Sequence, residues 1–197
     1  MDRLTLDCKH NAHQGDAPMT HPILNIADAQ YLDFADLSRQ YGSELPADRY
    51  GGRMAPIGRM LGAQKLGYNL TVIEPGKRVF PFHSHRANEE MFFIVEGTGE
   101  VRIGEARHPI RAGDVISCPA GGPETAHQLI NTGAQELKVL AVSTMAAPEL
   151  CHYPDSGKFG VLDQGNGFAY IGRAEGSLDY WEGEQAGATA RWVSTSA

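Results

Sequence analysis

The sequence predicts an all-β domain on three observations. Short runs rich in β-branched and aromatic residues recur between residues 61 and 147, separated by Gly, Pro, Asn and Asp at near-regular spacing. In one run Glu90, Phe92 and Ile94 share one face and Met91, Phe93 and Val95 the other, so both faces are largely apolar. A closed or sandwiched sheet requires this. Strands do not alternate with long helical patterns, which favours a sandwich or barrel over a βαβ plan. No internal repeat is present.

The first residues are polar and aperiodic, and a disordered tail is expected over 1–25, with Met19 as an alternative start to Met1. An N-terminal arm is expected over 26–60. In it Tyr31, Phe34, Leu37 and Tyr41 recur at helical spacing, with Gly42 where a C-terminal cap would fall. This predicts a short helix over 28–41; the alternative is an irregular arm lying against the barrel. From 43 to 62 Pro and Gly recur around Tyr50, Met54, Ile57 and Met60, predicting loops and one short strand.

The barrel core is expected over 61–147. Leu66, Tyr68, Leu70 and Val72 alternate with Lys65, Gly67, Asn69 and Thr71, a strand with one apolar face that ends at Pro75-Gly76. Segments 100–103 and 107–111 flank Gly104-Glu105 and predict a hairpin. Gly113-Asp114 marks the turn before Val115 and Ile116. Segments 128–130 and 136–144 flank the turn 131–135 and predict a second hairpin. The remainder, 148–197, is rich in Gly and Asp and is expected to cover the barrel, with Tyr180 and Trp181 packing on it or on a second subunit.

At 197 residues the chain can bury one full core. Its formal net charge of −7 argues against a nucleic-acid surface, which needs a concentrated basic face. No apolar run reaches membrane-spanning length, and the first residues lack the apolar middle region of a secretory signal, so a cytoplasmic location is expected. Cys8, Cys118 and Cys151 leave one thiol unpaired in any disulfide scheme within one chain and form no C-x-x-C pair, so reduced thiols are expected.

The chemistry concentrates in two segments. His83 and His85, two apart, point to the same face if their segment is extended, and Glu90 can reach the same point from the next strand. With His127 they supply three imidazoles and one carboxylate, a set suited to one divalent transition ion: Fe, Mn, Ni, Zn, Co or Cu. The alternative is a hydrogen-bonded polar cluster. Glu89, beside Glu90, would take its place after a one-residue shift of register. His10, His13, His21, His108 and His152 lie outside both segments.

These segments read H-x-H-x4-E-x6-G from His83 to Gly97 and G-x5-P-x-G-x5-H-x3-N from Gly113 to Asn131. They resemble the paired motifs of the cupin superfamily, and the wider likeness, from Leu61 to Met145, is to small bacterial single-domain cupins of the conserved-barrel type. The resemblance implies a double-stranded β-helix, or jelly-roll barrel. It also implies His83, His85, Glu90 and His127 as metal ligands, and homodimerisation. Six residues separate Glu90 from Gly97, as the pattern demands, which selects Glu90 over Glu89. Gly76 lies one residue farther from His83 than usual, and the run from Gly121 to His127 is longer.

Alternation alone nominates Tyr68, Phe92 and Leu129 for a mostly apolar substrate pocket. Arg78, with Lys77 and Arg59, is a candidate for an anionic group at its mouth, against ordinary solvated cations. Cys118 reads as a small buried core residue rather than a redox-sensitive thiol. Two functions follow: a metal-dependent enzyme on a small oxygen-bearing metabolite, of dioxygenase, isomerase or lyase type, or a barrel that binds or senses a small molecule without turnover.

Overall fold

The computed structural model describes residues 22–40, 43–163 and 168–184. The expectations for residues 1–21, Tyr41 and the cap at Gly42 lie outside them, as does the chain after residue 184. Thirteen strands are described: β1 Leu32–Asp33, β2 Gly52–Ala55, β3 Leu66–Ile73, β4 Ser84–His85, β5 Glu90–Glu96, β6 Thr98–Ile103, β7 Ala106–Arg111, β8 Val115–Cys118, β9 His127–Ile130, β10 Leu137–Thr144, β11 Glu149–Tyr153, β12 Lys158–Asp163 and β13 Phe168–Gly172. Two short helices, α1 Phe34–Gln40 and α2 Ile57–Met60, lie in the arm. No helix among the described residues is long and apolar enough to cross a membrane.

One layer is a six-stranded sheet of order β1-β2-β3-β10-β5-β8. The other combines a three-stranded sheet, β7-β6-β9, with a four-stranded sheet, β13-β12-β11-β4. Backbone hydrogen bonds join these two, because His83 N–H donates to His127 O at 3.2 Å and His127 N–H donates to His83 O at 2.8 Å. The seam between the smaller sheets is thus made by two of the nominated ligands.

Cross-strand register sets what faces the interior. Glu90 pairs with Ser143 and Cys118, Phe92 with Ala141 and Ile116, and Ile94 with Val139, itself opposite Thr71. Each row lies one step deeper than the last. Ile73, Phe92, Ile94, Leu137 and Val139 from this sheet meet Val101, Ile110 and Leu129 from the other in one core. Burial of each such side chain contributes about 1.5–3 kcal/mol.

Several sequence expectations are corrected. The helix begins at Phe34 rather than near residue 28, because Leu32 and Asp33 pair with Met54 and Arg53; Asp33 Oδ1 then accepts Ala35 N–H at 2.7 Å and caps the first turn. The stretch 43–62 holds a helical turn, α2, besides its one strand. The alternating apolar face of β3 does not face the barrel interior: Leu70 packs outward with Ala55, Ile57, Tyr31 and Met60, while Thr71 and Ile73 point inward. Both faces are buried because the arm covers the outside, so alternation could not tell in from out.

The expected 128–130/136–144 hairpin does not form. β9 pairs with β6, and β10 pairs with β3 and β5, so the chain crosses between layers at the turn. Asn131, fully buried, holds that crossing: its amide donates to Ile73 O and Gln135 O, each at 2.8 Å, and accepts Gly133 N–H at 2.9 Å. The β6–β7 hairpin forms as expected, with Gly104 at φ 54° in its turn. Beyond residue 148 the strands β11, β12 and β13 pair in order as antiparallel neighbours, and β11 also pairs with β4.

Candidate metal centre

The ligand atoms of His83, His85, Glu90 and His127 all lie within 4.8 Å of one another. His85 lies in β4 with His83 two residues before it, Glu90 opens β5 and His127 opens β9, so three separate segments converge. The His83 ring centroid is 4.9 Å from that of His85 and 4.8 Å from that of His127. Glu90 Oε2 is 2.9 Å from His127 Nε2 and 3.5 Å from His85 Nε2. Glu89, the register alternative, is exposed and outside the group.

The donor set fits a divalent transition ion. His83 Nδ1 lies 2.8 Å from Pro81 O and His127 Nδ1 3.3 Å from Thr125 O. A carbonyl partner on Nδ1 places the proton there and leaves Nε2 as the donor lone pair. His85 Nε2 is buried without a hydrogen-bond partner. An orphaned imidazole nitrogen facing a carboxylate and two further ring nitrogens matches the surroundings of a metal ligand.

Titration follows from these contacts. Burial, with His127 alongside, lowers His83 to about 4. Burial also disfavours charge on His85, but Cys151 beside Nδ1 and the nearby Glu90 carboxylate outweigh it and raise His85 to about 10. Burial opposes the Glu90 carboxylate as well, yet the adjoining His127 and His85 rings hold its pKa well below the usual carboxylate range.

Three residues that the sequence did not nominate surround this group. Glu149 is buried; its Oε1 accepts Arg86 N–H at 2.8 Å and Ala87 N–H at 3.1 Å, and its Oε2 accepts Asn88 N–H at 2.8 Å and the Asn88 side-chain amide. Asn88 also donates to Ala146 O at 3.1 Å and accepts from Thr144 Oγ1 at 3.0 Å and Ala146 N–H at 2.6 Å. Cys151 Sγ lies 3.4 Å from His85 Nδ1. The β11–β4 pairing makes these contacts, and spacing along the chain carries no signal for it.

A cavity of about 670 Å³ opens beside His85 and Glu90. Its wall is mixed: Pro56, Leu66, Met145 and Leu162 supply apolar surface, and Arg59, Gln64, Asn69, Asn88 and Ser143 add polar groups. Tyr68 reaches this wall too, although its ring packs against Gly58 of α2. Phe92 and Leu129 instead line a separate narrow apolar cleft, of about 30 Å³, behind His83 and His127; Phe92 stands edge-on to His127 at 5.6 Å.

Arg78 reaches neither space. Its backbone bridges Tyr50 and Ile130, and the Lys77 ammonium donates to Ala47 O at 2.5 Å. Arg59 alone of the three nominated cations lies on the cavity. Cys118 is a buried core residue, and burial together with the charge of Glu90 pushes its thiol up to about 12.

Comparison with known proteins adds to this geometry. Residues 69–143 match the family model described as "Cupin domain". Auxin-binding protein 1 of Arabidopsis thaliana is 30% identical over 127 residues, 57% of this chain and 62% of that protein. The chain spans 46 to 62% of the length of the curated relatives it matches. Among solved structures, a sugar phosphate isomerase from a cupin superfamily, from Silicibacter pomeroyi, superimposes with a TM-score of 0.66 at 25% identity, over 81% of this chain and 98% of the other.

Proposed function

We propose that this chain, a member of the cupin superfamily through its residues 69–143, is a metal-dependent enzyme acting on a small, polyoxygenated, anionic metabolite. Of the dioxygenase, isomerase and lyase classes, isomerase is the one proposed. The observation that carries this reading is the convergence of His83, His85, Glu90 and His127 beside an open cavity whose wall mixes polar and apolar side chains. The likeness to a sugar phosphate isomerase supports the same class.

In this reading His83, His85, Glu90 and His127 hold one divalent ion, which when bound supplies a Lewis acid to polarise a carbonyl oxygen. Asn69, Gln64 and Ser143 offer hydrogen bonds to hydroxyl groups and so orient the substrate. Arg59, exposed on the cavity wall, meets an anionic substituent. A second reading, capture without turnover, draws on one observation. Both carboxylates on the cavity wall are engaged, Glu90 by imidazoles and Glu149 by N–H donors, which leaves neither free as a base.

Incubating metal-loaded protein in D2O with phosphorylated and unphosphorylated aldoses and ketoses, followed by NMR, separates the two. Isomer formation, with or without deuterium uptake next to the carbonyl, supports the enzyme. Saturable binding with no conversion supports capture. A homodimer in the cytoplasm belongs to the same proposal. The motive is the edge strand β8, where exposed Val115 lies opposite exposed Phe93 of β5; light scattering reads the mass directly.

A further inference from the structure

We infer that β11, beyond the matched segment 69–143, belongs to the metal centre: Glu149 and Cys151 are positioning residues that fix His85 and its separation from Glu90. This rests on the metal reading above. Between these two ligands the chain makes a turn at 86–89. Three consecutive backbone N–H groups of that turn, from Arg86, Ala87 and Asn88, all donate to the Glu149 carboxylate. A turn tied at three successive residues cannot lengthen, so the span from His85 to Glu90 is set from outside the ligand motif.

Glu149 is far more buried than a surface carboxylate, at 5% relative exposure. Burying a carboxylate is costly unless hydrogen bonds replace its water, and these backbone and side-chain donors do so. The same carboxylate faces His85, with Oε2 3.7 Å from Nδ1. On that edge of the ring Cys151 Sγ is closer, at 3.4 Å, and the register Cys151↔His85 places it there. His83 and His127 use carbonyl oxygens for this purpose, and His85 uses sulfur. A partner on Nδ1 directs Nε2 to the ion and restrains rotation of the ring.

Glu149, Cys151 and His85 also form a second group of metal-ligand type. The N–H donors already occupy both oxygens of Glu149, which assigns it to support rather than ligation.

The test uses cobalt(II) titration of the full chain, followed by visible absorption, for wild type, Glu149→Gln, Cys151→Ala and Cys151→Ser, with thermal unfolding of each metal-free protein. The side-chain amide of Glu149→Gln turns donors toward donors. Cobalt affinity is expected to fall by about 10- to 100-fold in Glu149→Gln and Cys151→Ala, with a shifted absorption band. Cys151→Ser, which keeps an acceptor beside Nδ1, is expected to recover most of the loss. Lowered melting temperatures with affinity and spectrum unchanged would reduce both residues to a structural role and overturn the inference. Cobalt that fails to bind even the wild type would overturn the metal reading itself, and this inference with it.

Discussion

Replacing Asn88 by Ala tests the link between fold and site. Asn88 is 8% exposed, and its side chain makes contacts to Ala146 O, Ala146 N–H, Thr144 Oγ1 and Glu149. Each net hydrogen bond contributes about 1 kcal/mol, and a buried partner left unsatisfied costs more. Water entering from the adjoining cavity offsets part of that loss. A total of roughly 2–4 kcal/mol follows. For a chain of this size the melting temperature falls by about 2–4 °C per kcal/mol, so calorimetry of the metal-free variant is expected to show a drop of roughly 5–15 °C. Asn88 also helps tie the turn between His85 and Glu90, so metal affinity weakens in the same variant. A drop below about 2 °C with affinity retained would refute the reasoning, because these contacts would then carry almost no energy.

The pH dependence has two arms of opposite sign. His83 is lowered to about 4 from 6.5, so the unfolded chain binds more protons as pH falls and metal-free stability declines between about pH 6.5 and 4. His85 is raised to about 10, so its contribution is full below about pH 6.5 and is lost as pH rises to 10. Melting curves across pH 4–10 check both arms, and bound metal is expected to remove the alkaline loss because it has already displaced the His85 proton. Cys118, buried and pushed up to about 12, is expected to resist iodoacetamide in native protein at pH 8 and to react once unfolded; mass spectrometry reads the difference. Arg59→Ala is expected to weaken a sugar phosphate by about 10-fold, as loss of one charge-assisted hydrogen bond implies, while leaving affinity for the unphosphorylated sugar and metal content unchanged.

Residues that act locally were the legible ones. His83, His85 and Glu90 lie within one short segment whose strand periodicity sets their facing, and Gly104 marks a hairpin by its own backbone freedom. Where a strand is covered on both sides, as β3 is by the core and the arm, alternation carries no direction, and Tyr68 meets both α2 and the cavity wall. Pairing between distant strands was harder still. β9 and β10 read as a hairpin because a turn joins them, yet Asn131 sends them to different layers. Glu149 and Cys151 reach His85 only through the β11–β4 pairing across 60-odd residues of chain, which no local pattern encodes. Arg59 and Arg78 were indistinguishable as solvated cations until the arm placed one of them on the cavity.

The central claim is that four side chains from three segments hold one metal ion. Elemental analysis of untagged protein, purified without added metal or chelator, tests it most directly alongside His83→Ala and His127→Ala. The account predicts close to one equivalent of Fe, Mn, Ni, Co, Cu or Zn per chain in the wild type and its loss in both variants. A wild type that carries no metal and takes up none when offered, or variants that keep a full equivalent, would contradict it.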